Sequence, residues 1–495
     1  MGYIQRMRVC HFFLCLSILI ALHARSGDKI PYLLKTGKYI LVDRDTKERV
    51  KMNAFESIEF FKASEVSAEI SKRFFIVVGS DQKRGVIDSM GQLVIPARFT
   101  DLKPVERSEG DILFITSDFN LSAGWTYGLI DLSGKELLPL QYESVRFLGD
   151  ENLFFLKDKS GNSSIFDADR NVRVKFELQV IEYLGEGLFK YRKPISEYVF
   201  FTGLCNIQGK AVTPPIYVDI EAFHEGLAVV MGGSQKLLYG VIDTNGKLII
   251  PVKFSERIGN FKFGSAPLIA DKKTINYISR SGQLLLSKFK NAANKIKFIS
   301  KNRMLFLNIS TGKWGLLDAK ENEIIPGKFD AILELDDQLL FAKNGSENLL
   351  IDHTGKEIGR VSGLFDPTIF TDEYYSDDHE VRSDISGFLR KDEILPFVQD
   401  KKIGFALLNG QVVHEAKYSH VQIIEKLGYV ICVERDSKNR TEGFVSMSGK
   451  LISDLSPVHY SFANSATDVI KCEMSVGGES RIMYMDMDGY RYSDF

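Results

Sequence analysis

The residues of this 495-residue chain best suited to chemistry are carboxylates that recur in one local setting. Asp88, Asp131, Asp167, Asp243, Asp318 and Asp352 each close a short apolar run such as Gly240-Val241-Ile242-Asp243. Several then lead into x-x-Gly, where Asp accepts local backbone hydrogen bonds and Gly supplies a positive φ. A catalytic carboxylate would be singular, whereas these come one per unit, so they read as turn formers.

The other chemical candidates are weaker. Acids accumulate between Phe365 and Glu393, at Asp366, Asp372, Glu373, Asp377, Asp378, Glu380, Asp384, Asp392 and Glu393, but without calcium-loop spacing. Asp486-Met487-Asp488-Gly489 is half of such a loop, and it reads as one more hairpin turn. His414 and His420 are six apart where a zinc helix needs four, and on a strand they would stand roughly 20 Å apart. His224, His353, His379 and His459 are dispersed. There is no Gly-x-Ser-x-Gly elbow, phosphate-binding loop or Cys-x-x-Cys. No catalytic, cofactor-binding or metal-binding residue is therefore assigned, no cofactor is implied, and the binding residues are unknown. Asn120, Asn162, Asn308, Asn344 and Asn439 begin Asn-x-Ser/Thr sequons, which matter only in a glycosylating secretory pathway.

The elements that would position such residues are short strands in a repeat. Copies run Gly85-Val86-Ile87-Asp88 to Ile95-Pro96, Tyr127-Gly128-Leu129-Ile130-Asp131 to Leu138-Pro139, Tyr239-Gly240-Val241-Ile242-Asp243 to Ile250-Pro251, and Trp314-Gly315-Leu316-Leu317-Asp318 to Ile325-Pro326. An aromatic trails each proline: Phe99, Tyr142, Phe254, Phe329. Gly203 and Gly240 lie 37 residues apart, Gly404 and Gly443 lie 39 apart, and two wider gaps of 75 each hold a degenerate copy. The total is about eleven or twelve units. Each predicts three or four strands of about five residues, with the proline ending one strand and the aromatic opening the next. Gly203-Leu204-Cys205-Asn206 and Gly404-Phe405-Ala406-Leu407 lack the Asp.

This pattern of (Tyr/Trp)-Gly-(Leu/Val)-Ile-Asp, Gly-Lys, Ile-Pro and a trailing aromatic resembles the WG-repeat family. The likeness covers nearly all of the chain after its first residues. It implies a repeat type, with no shared activity attached.

Residues 1–26 differ from the rest. Arg6 and Arg8 precede an apolar run from Val9 to Leu22, and Ala24 and Ser26 fit a signal-peptidase site. The run is short for an anchor and is broken by His11. Cleavage would leave Cys205, Cys432 and Cys472, enough for one disulfide at most. The expected organisation is a signal peptide at 1–26, β repeats over 27–364, an acidic insertion loop at 365–393 and further β repeats over 394–495. No membrane span is expected after signal cleavage.

The composition is globular, with 44% hydrophobic and 26% charged residues. A net charge of -2 gives no field toward nucleic acid. The expected fold class is all-β, with tandem antiparallel units forming propeller-like rings or an open superhelical β array. The expected function is that of a non-catalytic exported binding or scaffolding module in the secreted, periplasmic or cell-surface space. Its partner would be a protein or cell-envelope component. The competing expectation is an envelope-polymer hydrolase with a site in the repeat groove.

Overall fold

The structure is a computed structural model. It describes residues 28–494 apart from 63–64, 108–109, 123, 197–198, 234–235, 271–272, 286–295, 301, 335–338, 366–379, 384–393, 408, 425–428, 436–439, 465–468, 477–478 and 487. The candidate signal at 1–26, His379, Asn439 and most of the acidic insertion lie outside the described residues. Within that insertion, Glu380–Ser383 forms a strand that pairs in parallel with His420–Ile424.

Each repeat folds as a small antiparallel meander, and the sheets are the blades of a β-propeller. One blade illustrates the rule. Asp219–Ile220, Leu227–Gly232, Leu238–Asp243 and Leu248–Phe254 pair in chain order. The second and third strands are apolar on both faces because a sheet covers each face. Leu227, Val229 and Val241 pack against Ile258, Ala266 and Ile278 of the following blade. Ala228, Val230 and Ile242 pack against Leu184, Leu188 and Leu204 of the preceding one. Burial on both faces explains why Gly-Val-Ile-Asp shows no polar alternation. The last strand borders water, and its burial alternates.

The turn chemistry is as the sequence implies. The Asp243 carboxylate accepts the backbone N–H of Asn245 and of Lys247, both at 2.9 Å, and Gly246 adopts φ 76°. Asp88, Asp131, Asp318 and Asp352 do the same. Copies without Asp keep the geometry by other means. Asn206 accepts from Gln208 and Lys210, and Ser279 from Ser281 and Gln283. We expect Asp243→Ala to cost about 1–2 kcal/mol in urea denaturation, because two charge-assisted hydrogen bonds are lost at an exposed turn. Asp243→Asn should stay close to the parent, since Asn206 already performs this role.

Two expectations need correction. The repeat proline does not end its strand: Pro96, Pro139, Pro251 and Pro326 lie inside Leu93–Phe99, Glu136–Tyr142, Leu248–Phe254 and Glu323–Phe329. These are edge strands, and in three of them the pairing is seen to slip at that point, so the missing N–H breaks no ladder bond. The trailing aromatic closes the same strand instead of opening the next. Tyr239 pairs with Phe254, and Trp314 with Phe329.

The chain divides into two compact units, residues 1–140 with 457–495, and residues 141–456. In the first unit, the beginning and the end of the described residues are joined. Leu33 bridges Ser493 in parallel, the Leu33 N–H donates to the Tyr492 carbonyl at 3.1 Å, and the Asp494 N–H donates to the Leu33 carbonyl at 2.8 Å. Ile30, Leu41, Ile58 and Phe75 share one core with Val469, Tyr484 and Tyr492. In the second unit, the cores lie between successive blades, as in the example above.

Candidate functional site

The residues with chemical character fall mostly to structural tasks. The repeat carboxylates are engaged by their own turns. Cys205, Cys432 and Cys472 are free and buried, and burial pushes the Cys205 and Cys472 thiols up to about 12, which leaves them unreactive. His414 lies on Val412–Tyr418, with its Nε2 at 2.8 Å from the Gly449 carbonyl, while His420 opens a strand of the next sheet. Buried His353 meets Arg303 through its Nδ1. Among the described residues, no group of three or more His, Cys, Asp or Glu is placed to hold a metal ion. Asn120, Asn308 and Asn344 end the second strand of their blades, and Asn162 precedes a third strand.

Three successive blades of the second unit are latched together at the turn between their first two strands. Glu186-Gly187, Glu225-Gly226 and Phe263-Gly264 all have positive φ at both positions, as a two-residue hairpin turn of the primed kind requires. The same contact repeats from blade to blade. The Gly226 N–H donates to the Glu186 carboxylate at 2.9 Å. The Glu225 carboxylate in turn accepts the N–H of Phe263 at 2.8 Å and of Gly264 at 2.9 Å. Arg280, from the third-to-fourth-strand turn of the same blade as Phe263, donates to the Glu225 carbonyl at 2.8 Å and lies 3.5 Å from its carboxylate. The latch explains Glu at the first turn position of two copies, since the side chain reaches the next turn. It does not explain Phe263, whose bulky side chain is out of place at φ 55°.

Each unit holds a cleft among its described residues. The first unit holds a cleft of about 370 Å³ lined by Phe60, Ile76, Leu102 and Tyr484. Its charges are mixed. Arg84 lies 3.8 Å from Glu59 and 3.5 Å from Asp101, and Lys103 lies 3.9 Å from Glu65. Burial raises the Glu65 pKa above its ordinary value, against the pull of Lys103 and Lys62. The second unit holds a cleft of about 410 Å³ between the blades of 257–285 and 296–329. Phe263, Leu285, Phe298 and Met304 form its apolar wall, and Arg280 and Glu321 stand in its lining. What the copies share gives no sign of this cleft. The signal lies in what they do not share: Lys262-Phe263-Gly264-Ser265 aligns with His224-Glu225-Gly226-Leu227.

Comparison with known proteins agrees with the repeat. The family model described as "WG containing repeat" matches residues 85–114, 127–160, 203–231, 239–264 and 314–346. No curated protein matches the chain. Among solved structures, the chain is similar to the eukaryotic initiation factor at 11% identity and a TM-score of 0.33, covering 67% of this chain and 94% of that one. It is also similar to the tricorn protease at 11% identity and a TM-score of 0.23, covering 91% of this chain and 54% of that one.

Proposed function

We propose, for a chain that carries WG containing repeats in five matched copies, that it is an exported, non-catalytic binding or scaffolding protein. Its partner is a protein or a component of the cell envelope, met outside the cytoplasm. The observation that carries this reading is the fate of the repeat carboxylates: the Oδ1 of each accepts turn N–H groups, so the residues the copies share build blades. What is left for recognition is the part that differs between copies, and a repeat β-propeller suits that use.

The test uses the chain from residue 27 as bait against envelope and secreted fractions, alongside a panel of envelope polymers offered as substrates. A reproducible partner that leaves unaltered supports binding; turnover of any polymer overturns it. Export is tested separately by fusing residues 1–26 to a reporter and locating the reporter. Retention in the cytoplasm would remove the extracytoplasmic part of the reading.

One observation favours the hydrolase reading as a second choice. Glu65, with its raised pKa, shares the first-unit cleft with Asp101, and paired carboxylates in unequal surroundings suit acid catalysis. It ranks second because Lys103 and Arg84 already engage these carboxylates. Turnover abolished by Glu65→Gln would promote it.

A further inference from the structure

We propose that the second-unit cleft beside Phe263 and Glu321 is a binding site for a neutral saccharide. The proposal rests on the binding-protein reading above and names the ligand class for one site.

Two departures from the repeat meet at this cleft. Phe263 occupies the first position of a two-residue turn at φ 55°, where Asn or Gly is the favoured residue and the neighbouring copies carry Glu for the latch. Glu321 occupies the turn position filled by Gly91, Gly134, Gly246, Gly282 and Gly355 in other copies, and it does so at φ 63°. Side chains in the left-handed region are strained, and such residues persist where the surroundings hold them and cluster at ligand sites. Here the surroundings are identified: the Glu225 carboxylate binds the N–H groups of both Phe263 and Gly264. Both strained residues line the same cleft, although they belong to different blades.

The lining selects the ligand. Its volume of about 410 Å³ lies in the range of small-molecule sites and has room for roughly one or two sugar units. Phe263 and Phe298 stand in the lining, where aromatic rings suit the C–H face of a pyranose; Lys262 lies over the Phe263 ring, 5.0 Å from its centroid, and Phe298 is backed by Tyr277 at 4.7 Å between centroids. Ser281, Asn302, Arg280 and Glu321 supply donors and acceptors to match hydroxyl groups. The charges at the cleft are two of each sign, Arg280 and Lys262 against Glu225 and Glu321, so the formal charge is balanced and favours a neutral ligand over an ionic one. Arg280 is also held by Glu225, which fixes its direction before any ligand arrives.

The test titrates the purified chain with neutral hexoses, N-acetylhexosamines and their disaccharides, read by calorimetry and by melting temperature. At least one neutral sugar should bind and raise the melting temperature. Two substitutions that restore ordinary turn residues, Phe263→Asn and Glu321→Gly, should melt at or above the parent temperature and bind that sugar at least tenfold more weakly. Because both relieve backbone strain, loss of binding cannot be put down to misfolding. The proposal is overturned if no neutral sugar binds, if charged sugars bind more tightly, or if both variants bind as the parent does. Its failure is distinguishable from failure of the wider reading. Absence of sugar binding with a partner still recovered removes only this site, whereas cleavage of a bound disaccharide keeps the site and removes the non-catalytic reading.

Discussion

Tyr492→Ala should lower the stability of the first unit by about 3–5 kcal/mol in chemical denaturation, the range for truncating a large buried aromatic. Tyr492 is fully buried and packs with Ile30, Leu33 and Tyr39 from the beginning of the described chain and with Val469 and Tyr484 from its end. Its hydroxyl accepts from Lys47 at 2.9 Å and donates to Asp486 at 3.2 Å. Its carbonyl accepts the Leu33 N–H that ties the chain ends together. Truncation therefore leaves a cavity and strips a partner from a largely buried carboxylate at the joint between the two chain ends. Tyr492→Phe separates these effects: it keeps the packing, loses the hydroxyl bonds and should cost about 1–2 kcal/mol. The second readout is proteolysis. Tyr492→Ala should expose the segment around Lys29–Leu33 to cleavage, because that hairpin relies on the C-terminal residues for its outer partner. A loss below about 1 kcal/mol, with unchanged proteolysis, would show that the joint does not hold the unit.

How much of this is legible in the sequence depends on the range of each interaction. The Asp turns are local: carboxylate, N–H donors and glycine lie within four residues, so Asp243 to Lys247 can be read directly. Substitution of Asn206 or Ser279 for Asp is equally local, and the missing Asp of those copies is a change of acceptor. The proline is misleading because its tolerance is not a property of its own strand. Pro251 is accommodated by the edge position and by the slipped pairing with Tyr239–Val241, which depend on a neighbouring strand. The union of the chain ends spans 462 residues in the Tyr32–Asp494 hydrogen bond, and no repeat spacing encodes it. The second-unit cleft needs both the turn geometry and the adjacency of two blades, and the sequence offers only the oddity of Phe263 before Gly264.

The glycines of the repeat make the sharpest test of this distinction, because they serve two unlike purposes. Gly240 has no left-handed backbone, yet a Cβ there would stand 2.7 Å from the Ile250 carbonyl oxygen and 2.8 Å from the Val252 nitrogen. The slipped strand around Pro251 passes directly over it. Gly134 is the reverse case: φ is 80°, and nothing lies within 4 Å of an added Cβ. Gly240→Ala must push backbone of the neighbouring strand aside, and we expect a loss of about 1–3 kcal/mol from overpacking. Gly134→Ala meets only conformational strain, of about 1–2 kcal/mol. Asparagine tells the two apart. At Gly134 it tolerates the left-handed conformation and should recover most of the loss, whereas at Gly240 it is larger than alanine and should be worse. Urea denaturation of the four variants gives the comparison. If Gly240→Asn were as stable as Gly134→Asn, close approach of the strand would not be the reason for glycine in the Tyr-Gly pair. If instead the order holds, the Gly of the repeat and its Ile-Pro are one device: the proline-bearing strand slips by its bulge, and the glycine makes room for it.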